Sequence, residues 1–217
     1  MKVELTIPSS LSEISLKQYQ KFLKIQEKND DSYFLQCKMI EIFCNLDAKT
    51  VRLLKFTDAN KVIQILSDMF EEKPNLTHTF ELGGIEYGFI PNLDSMSLGE
   101  YIDLDTYMGD WQNMQIAMNV LYRPIKEKIG DKYLIKDYDI ESKEVMKDMP
   151  VDIVLGSVFF FYNLGIELSK TMMDSLEDKQ MESWTEHLTF QENGGGMKAS
   201  SLHSLKTMLD ELKISLN

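Results

Sequence analysis

Basic residues and cysteine are both scarce in this chain. Lysine and arginine together number 23 against 35 acidic residues, giving a formal net charge of -12 in 217 positions. A surface of that sign is repelled by phosphate backbones and by anionic lipid, which disfavours nucleic acid as the main ligand and argues against membrane partners. Cysteine occurs only at Cys37 and Cys44. On a helix that spacing puts both on one face but about 10 Å apart along the axis, beyond the roughly 7 Å between Cα atoms that a disulfide tolerates. Both thiols are expected to be small buried apolar groups in a reducing compartment, and no paired Cys/His spacing suggests zinc.

Histidine is as sparse. His78, His187 and His203 fall on separate expected elements and form no cluster. The HExxH, GxSxG and phosphate-loop patterns are all missing. No nucleophile–base pair is legible, so no catalytic residue, metal ligand or cofactor is assigned. Long apolar runs are missing too. The greasiest stretch, IVLGSVFFFYNLGI, covers residues 153–166, lies between Asp152 and Glu167 and is interrupted by Asn163. That is short of the roughly 20 residues a membrane span needs, and it reads as a core helix. MKVELTIPSS has neither the apolar core nor the cleavage pattern of a signal peptide, so a soluble intracellular protein is expected.

What is present is enough apolar material for a core: 43% hydrophobic and 10% aromatic residues. VELTI alternates like a strand and ends at Pro8. Ser15 with Gln18 forms a capping box that opens a helix through LKQYQKFLKIQ. Asn29-Asp30-Asp31 breaks the pattern, and a second helix follows with Phe34, Leu35, Cys37, Ile40 and Ile42 to Cys44 as its apolar positions. Asp47 can cap AKTVRLLKF, and Thr57-Asp58 can start ANKVIQILSDMF. Two alternating segments then flank Gly83-Gly84, a good hairpin turn, and Gly130-Asp131 looks like the turn of a second hairpin. Helix returns from Glu141 to Met146 and from about Val151 to Asp178. NGGG at 193–196 is a hinge before an amphipathic helix, Ser200 to Leu212, whose Leu205 and Leu209 could face its own core or a partner.

The stretch EYIDLDTYMGDWQNMQIAMNVLYRPI, Glu100 to Ile125, is the most distinctive. Ser97 and Glu100 form another capping box, placing a helix start at Leu98, and Asp110 can cap the next helix. Leu98, Ile102, Asp105 and Met108 lie broadly on one side of the first helix; Glu100, Asp103 and Tyr107 lie on another. Asp103 and Asp105 diverge by about 200° and cannot clasp one ion together. Trp111, Met114, Met118 and Leu121 form an apolar stripe. Arg123, ahead of Pro124, is expected to end the second helix and to pair with Asp103 or Asp105. Tyr101, Tyr107 and Trp111 would then form an aromatic anchor for a partner at a sharp corner.

The order of parts from LTIPSSLSEISLKQYQKFLKI, through CNLDAKTVRLLKFTDANKVIQILSDMF, to FELGGIEYGFIPNLDSMSLGEYIDLDTYMGDW and AMNVLYRPI resembles small structural and assembly proteins of tailed bacteriophages. Those of crAss-like phages are among them, and the first part looks like phage tail assembly chaperones. The likeness spans about residues 1 to 125. It implies a non-enzymatic protein whose partners are other phage structural proteins, in the host cytoplasm during assembly or in the virion, with a homo-oligomer compatible. A minor virion component near the neck or tail and a chaperone absent from the mature particle both remain open. So does a metal-dependent enzyme or processing factor built on the 100–110 acids. A DNA-associated packaging factor is opposed by the net charge.

The fold expected is α+β and mainly helical: an N-terminal helical cluster, two β-hairpins, a long C-terminal helix and a hinged amphipathic helix. One domain should cover 1–192, with the hinge and last helix at 193–217.

Overall fold

The structure, a computed structural model, describes residues 5–130 and 132–177, with side chains through residue 167. The expected hinge at 193–196, the final helix with Leu205 and Leu209, and His187 and His203 lie outside the described residues.

Four helices fill the first seventy residues: α1 Leu16–Gln26, α2 Ser32–Phe43, α3 Ala48–Leu53 and α4 Phe56–Phe70. Ser15 and Gln18 make both bonds of the capping box, and the Asp31 and Asp47 carboxylates accept the first backbone N–H groups of α2 and α3. The start of α4 differs from expectation. Lys55, in extended backbone, holds the cap position without a side-chain bond, and Asp58 sits inside the first turn. No strand forms at Leu5 to Ile7. Leu5 and Ile7 instead pack against the core without a partner strand. Cys44 is buried, as expected, but Cys37 lies exposed on α2, because the buried stripe of that helix runs through Met39, Ile40 and Phe43.

The two expected hairpins turn out to be one antiparallel sheet in the order β1-β2-β3-β4: Thr79–Leu82, Ile85–Phe89, Tyr122–Ile129 and Lys132–Ile135. Gly83 and Gly84, at φ 59° and 78°, make the first turn in a region few L-residues enter. What joins the hairpins is the pairing of Tyr87 with Pro124, Gly88 with Arg123 and Phe89 with Tyr122. At Gly88 a side chain has no room: a Cβ there would lie 2.4 Å from the Tyr133 ring. The Tyr133 hydroxyl continues across β2 and donates to the Phe89 carbonyl at 2.8 Å.

Between β2 and β3 the chain leaves the sheet as a helical excursion, α5 Leu98–Tyr107 and α6 Met114–Leu121. Its base is closed where the Ile90 N–H donates to the Leu121 carbonyl at 2.7 Å. All eight residues of α6 are buried. Beyond β4, a 3-10 segment at Ile140–Asp148 packs on α6, and α7 Val151–Glu177 follows. The start of α7 is pinned by paired backbone bonds, Val151 N–H to the Ile14 carbonyl and Leu16 N–H to the Met149 carbonyl, each 2.8 Å. Its buried residues Val154, Val158 and Phe161 complete a core that also includes Tyr19, Phe43, Leu66, Trp111, Met118 and Tyr122. The described residues are 60% helical with one small sheet, a mainly helical α+β fold. Among the described residues no helix is long and apolar enough to cross a membrane.

Candidate functional site

The acidic segment forms the corner between α5 and α6. Ser97 opens α5: its hydroxyl accepts the Glu100 N–H at 3.3 Å, and its own N–H donates to Glu100 Oε2 at 2.6 Å. The other oxygen, Oε1, meets Arg123 Nη1 at 2.7 Å. Both side chains are about nine-tenths shielded, at 8% and 10% exposure, so the pair is buried. The Arg123 Nε is buried without a hydrogen-bond partner.

This corrects two expectations. Arg123 does not end a helix; α6 stops at Leu121, and Arg123 is the second residue of β3, opposite Gly88. The extended backbone that a following proline imposes on Arg123 continues as a strand rather than a coil. Its partner is Glu100, in the first turn of α5, and not Asp103 or Asp105. The reason is topological. The chain reverses at Met108 to Asp110, so α6 returns towards the start of α5 and β3 begins there.

The other acids also have defined places. Asp103 Oδ2 accepts the Tyr138 hydroxyl at 2.7 Å. Burial, then that hydrogen bond and the Asp103 and Glu100 charges, push the Tyr138 phenol up, so it stays a donor. Asp105 faces Tyr101, whose phenol is raised first by burial and then by that carboxylate. Asp110 caps the 3-10 turn Trp111–Asn113, accepting from the Gln112 N–H at 3.0 Å and the Asn113 amide at 2.7 Å. For Glu100, burial raises the carboxyl, but the Ser97 bonds and the Arg123 guanidinium together hold it below its ordinary value. Among the described residues no group of three or more His, Cys, Asp or Glu is placed to hold a metal ion.

The expected aromatic anchor divides. Trp111 is buried and packs edge-on against Tyr19, ring centroids 5.0 Å apart. The Gln20 amide reaches the Trp111 carbonyl at 2.8 Å and the Gln115 carbonyl oxygen at 2.7 Å. That ring is core and offers no face to a partner. Tyr101 and Tyr107 are half-buried, and Tyr107 packs against the core.

The exposed side of α5 carries different residues. The buried positions are Glu100, Leu104 and Met108, four apart. Leu98 and Ile102 point outward, 75% and 51% exposed. The usual amphipathic order is therefore inverted at two places: an acid is inside and two large aliphatic groups are outside. A buried charge beside exposed apolar groups is the informative departure on a protein surface. The sequence places Leu98, Ile102 and Asp105 on one side of α5 but does not say that this side faces water. No protein-family model, no curated protein and no solved structure matches the chain.

Proposed function

We propose that this chain is a non-enzymatic protein of a tailed bacteriophage, acting by protein–protein contact in virion assembly or as a minor virion component near the neck or tail. The observation that carries the reading is the inversion on α5. Glu100 is spent on a buried clamp to Arg123 and Asp110 on a cap, while Leu98 and Ile102 stand in water beside Tyr101 and Asp105. Carboxylates committed to structural bonds are poorly placed for acid–base work, and exposed aliphatic groups stabilise a complex when covered. The resemblance over residues 1 to 125 supplies the setting.

Mass spectrometry of purified particles tests it. A virion component is present at fixed stoichiometry. A tail assembly chaperone is absent from particles but co-purifies with tail components from infected cells before they polymerise. A chain found in neither place, with particle yield unchanged by Ile102→Lys, overturns the reading.

A further inference from the structure

The first turn of α7 carries an acid in an apolar joint. Ser15 and Pro150 face each other in an isolated antiparallel bridge, closed by the two backbone bonds between Ile14–Leu16 and Met149–Val151. Ile14, Leu16, Met149, Val151 and Val154 are all buried there. Asp152 directly follows Val151, and its Oδ1 is buried without a hydrogen-bond partner. The helical bond that spans it, from the Val154 N–H to the Pro150 carbonyl, is long at 3.4 Å. A buried polar atom without a partner is uncommon in a folded chain and calls for a physical account.

Among the described residues no lysine, arginine or histidine pairs with this carboxylate. Glu13 and Lys17, on the segment packed against the joint, are exposed. So are Lys73 and His78, on the loop whose Asn75 carbonyl lies against Gly156 of α7. The titratable group that faces Asp152 from the sheet is the Tyr122 phenol. Its hydroxyl is already committed to the Thr77 carbonyl at 2.7 Å and to Ser157 Oγ at 3.0 Å. Burial pushes that phenol up to about 12, and the Asp152 charge adds to the shift, so it stays neutral. Burial also pushes the Asp152 carboxyl above its ordinary 3.8, and the N–H groups of Ile153 and of Asp152 itself offset this only in part.

We propose that Asp152 is a proton-operated latch on the joint between α7 and the N-terminal helical cluster, loose while the carboxylate is charged and tight once it takes up a proton. The charged form leaves an unpaired oxygen against an apolar wall, which favours opening of the first turn; the neutral form removes most of that penalty. A carboxyl raised in the fold gives stability that is gained as pH falls through the folded value and is complete below the unfolded one. That is opposite in sign to the Glu100–Arg123 clamp. The inference rests on this joint alone and is independent of the phage setting.

Hydrogen exchange of the full chain tests it, with the Leu16 and Val151 amides, bonded across the joint, as reporters of opening. At about pH 7.5 Asp152→Asn should slow their exchange at least about fivefold relative to the unaltered protein. At about pH 4 the difference should shrink to less than about twofold. Asp30→Asn, which removes an exposed acid from the same chain, should leave both amides unchanged. Titration of the Asp152 carboxyl carbon by NMR in the unaltered protein gives a reading that needs no variant, and its midpoint should lie above 3.8. Equal exchange at neutral pH, a difference that persists in acid, or a midpoint at or below the ordinary value overturns the proposal. An equal slowing by Asp30→Asn also overturns it, by reducing the effect to general charge repulsion.

Discussion

Arg123→Ala separates a buried clamp from a decorative surface pair. Removing one partner of a buried pair typically costs about 3–5 kcal/mol, mostly because the other charge is left without compensation. Two features lower that figure here. Glu100 keeps its bond from the Ser97 N–H, and the Arg123 Nε is already buried without a partner. We therefore expect a loss of about 2–4 kcal/mol, including packing lost with the aliphatic stem. In a chain of this size that lowers the melting temperature by about 4–16 °C. Glu100→Gln keeps an acceptor for the cap but strands the guanidinium, and should cost about 1–3 kcal/mol. The double variant Glu100→Gln/Arg123→Met should be less destabilised than the sum of its parts, because it removes the charges together. Urea and thermal melts by circular dichroism measure all three.

The pH dependence gives the same clamp a second signature. Glu100 is depressed below its ordinary 4.5 in the folded state. A depressed carboxyl contributes stability above its unfolded value and loses it as pH falls through the folded one. The penalty of Arg123→Ala should thus be largest at neutral pH and shrink below about pH 4.5, as Glu100 takes up a proton and the parent loses the pair that the variant already lacks. A loss under about 1 kcal/mol at pH 7, the range of exposed pairs, with no narrowing in acid, would refute the reasoning.

Trp111→Ala should cost about 3–5 kcal/mol, and a melt matching the parent would show that the ring is not core. Two glycines should respond with opposite signs in the same assay. Gly88→Ala forces a methyl into the Tyr133 ring and should destabilise by about 1–3 kcal/mol, whereas Gly99→Ala, with nothing within 4 Å, should stabilise by about 0.4–1 kcal/mol. In a thiol-labelling assay at pH 8, exposed Cys37 should react promptly. Cys44, whose thiol burial pushes up to about 11, should react only on unfolding; two fast thiols would contradict its placement.

Local chemistry was readable wherever one segment settles the matter alone. The capping boxes at Ser15 and Ser97, the cap at Asp47 and the turn at Gly83-Gly84 each depend on residues within four positions, and each appears in the structure. The apolar stripe through Trp111, Met114, Met118 and Leu121 was legible too, and all four residues are buried, although α6 is buried on its other sides as well. Its two polar residues could not be interpreted from sequence. Gln115 is satisfied by Gln20 and Asn119 by the Asp139 carbonyl, partners fixed only by the way three distant elements converge.

The clamp and the exposed face of α5 were harder for one shared reason. A helical wheel ranks residues around an axis but does not say which side meets the rest of the protein. Leu98 and Ile102 look like core by composition, and Glu100 looks like surface. The choice is made by the return of α6 along α5, which brings Arg123, at the start of β3, to Glu100. Once that charge is compensated, the side through Glu100, Leu104 and Met108 can be buried, and rotation of one rigid helix forces Leu98 and Ile102 outward. Burial of the acid and exposure of the aliphatic pair are therefore one event. It follows that Arg123→Ala should disturb more than stability: by loosening the orientation of α5 it should also weaken any complex that uses Leu98 and Ile102, although Arg123 touches no partner. A variant measurably destabilised by Arg123→Ala whose particle yield equals that of the parent would break that link.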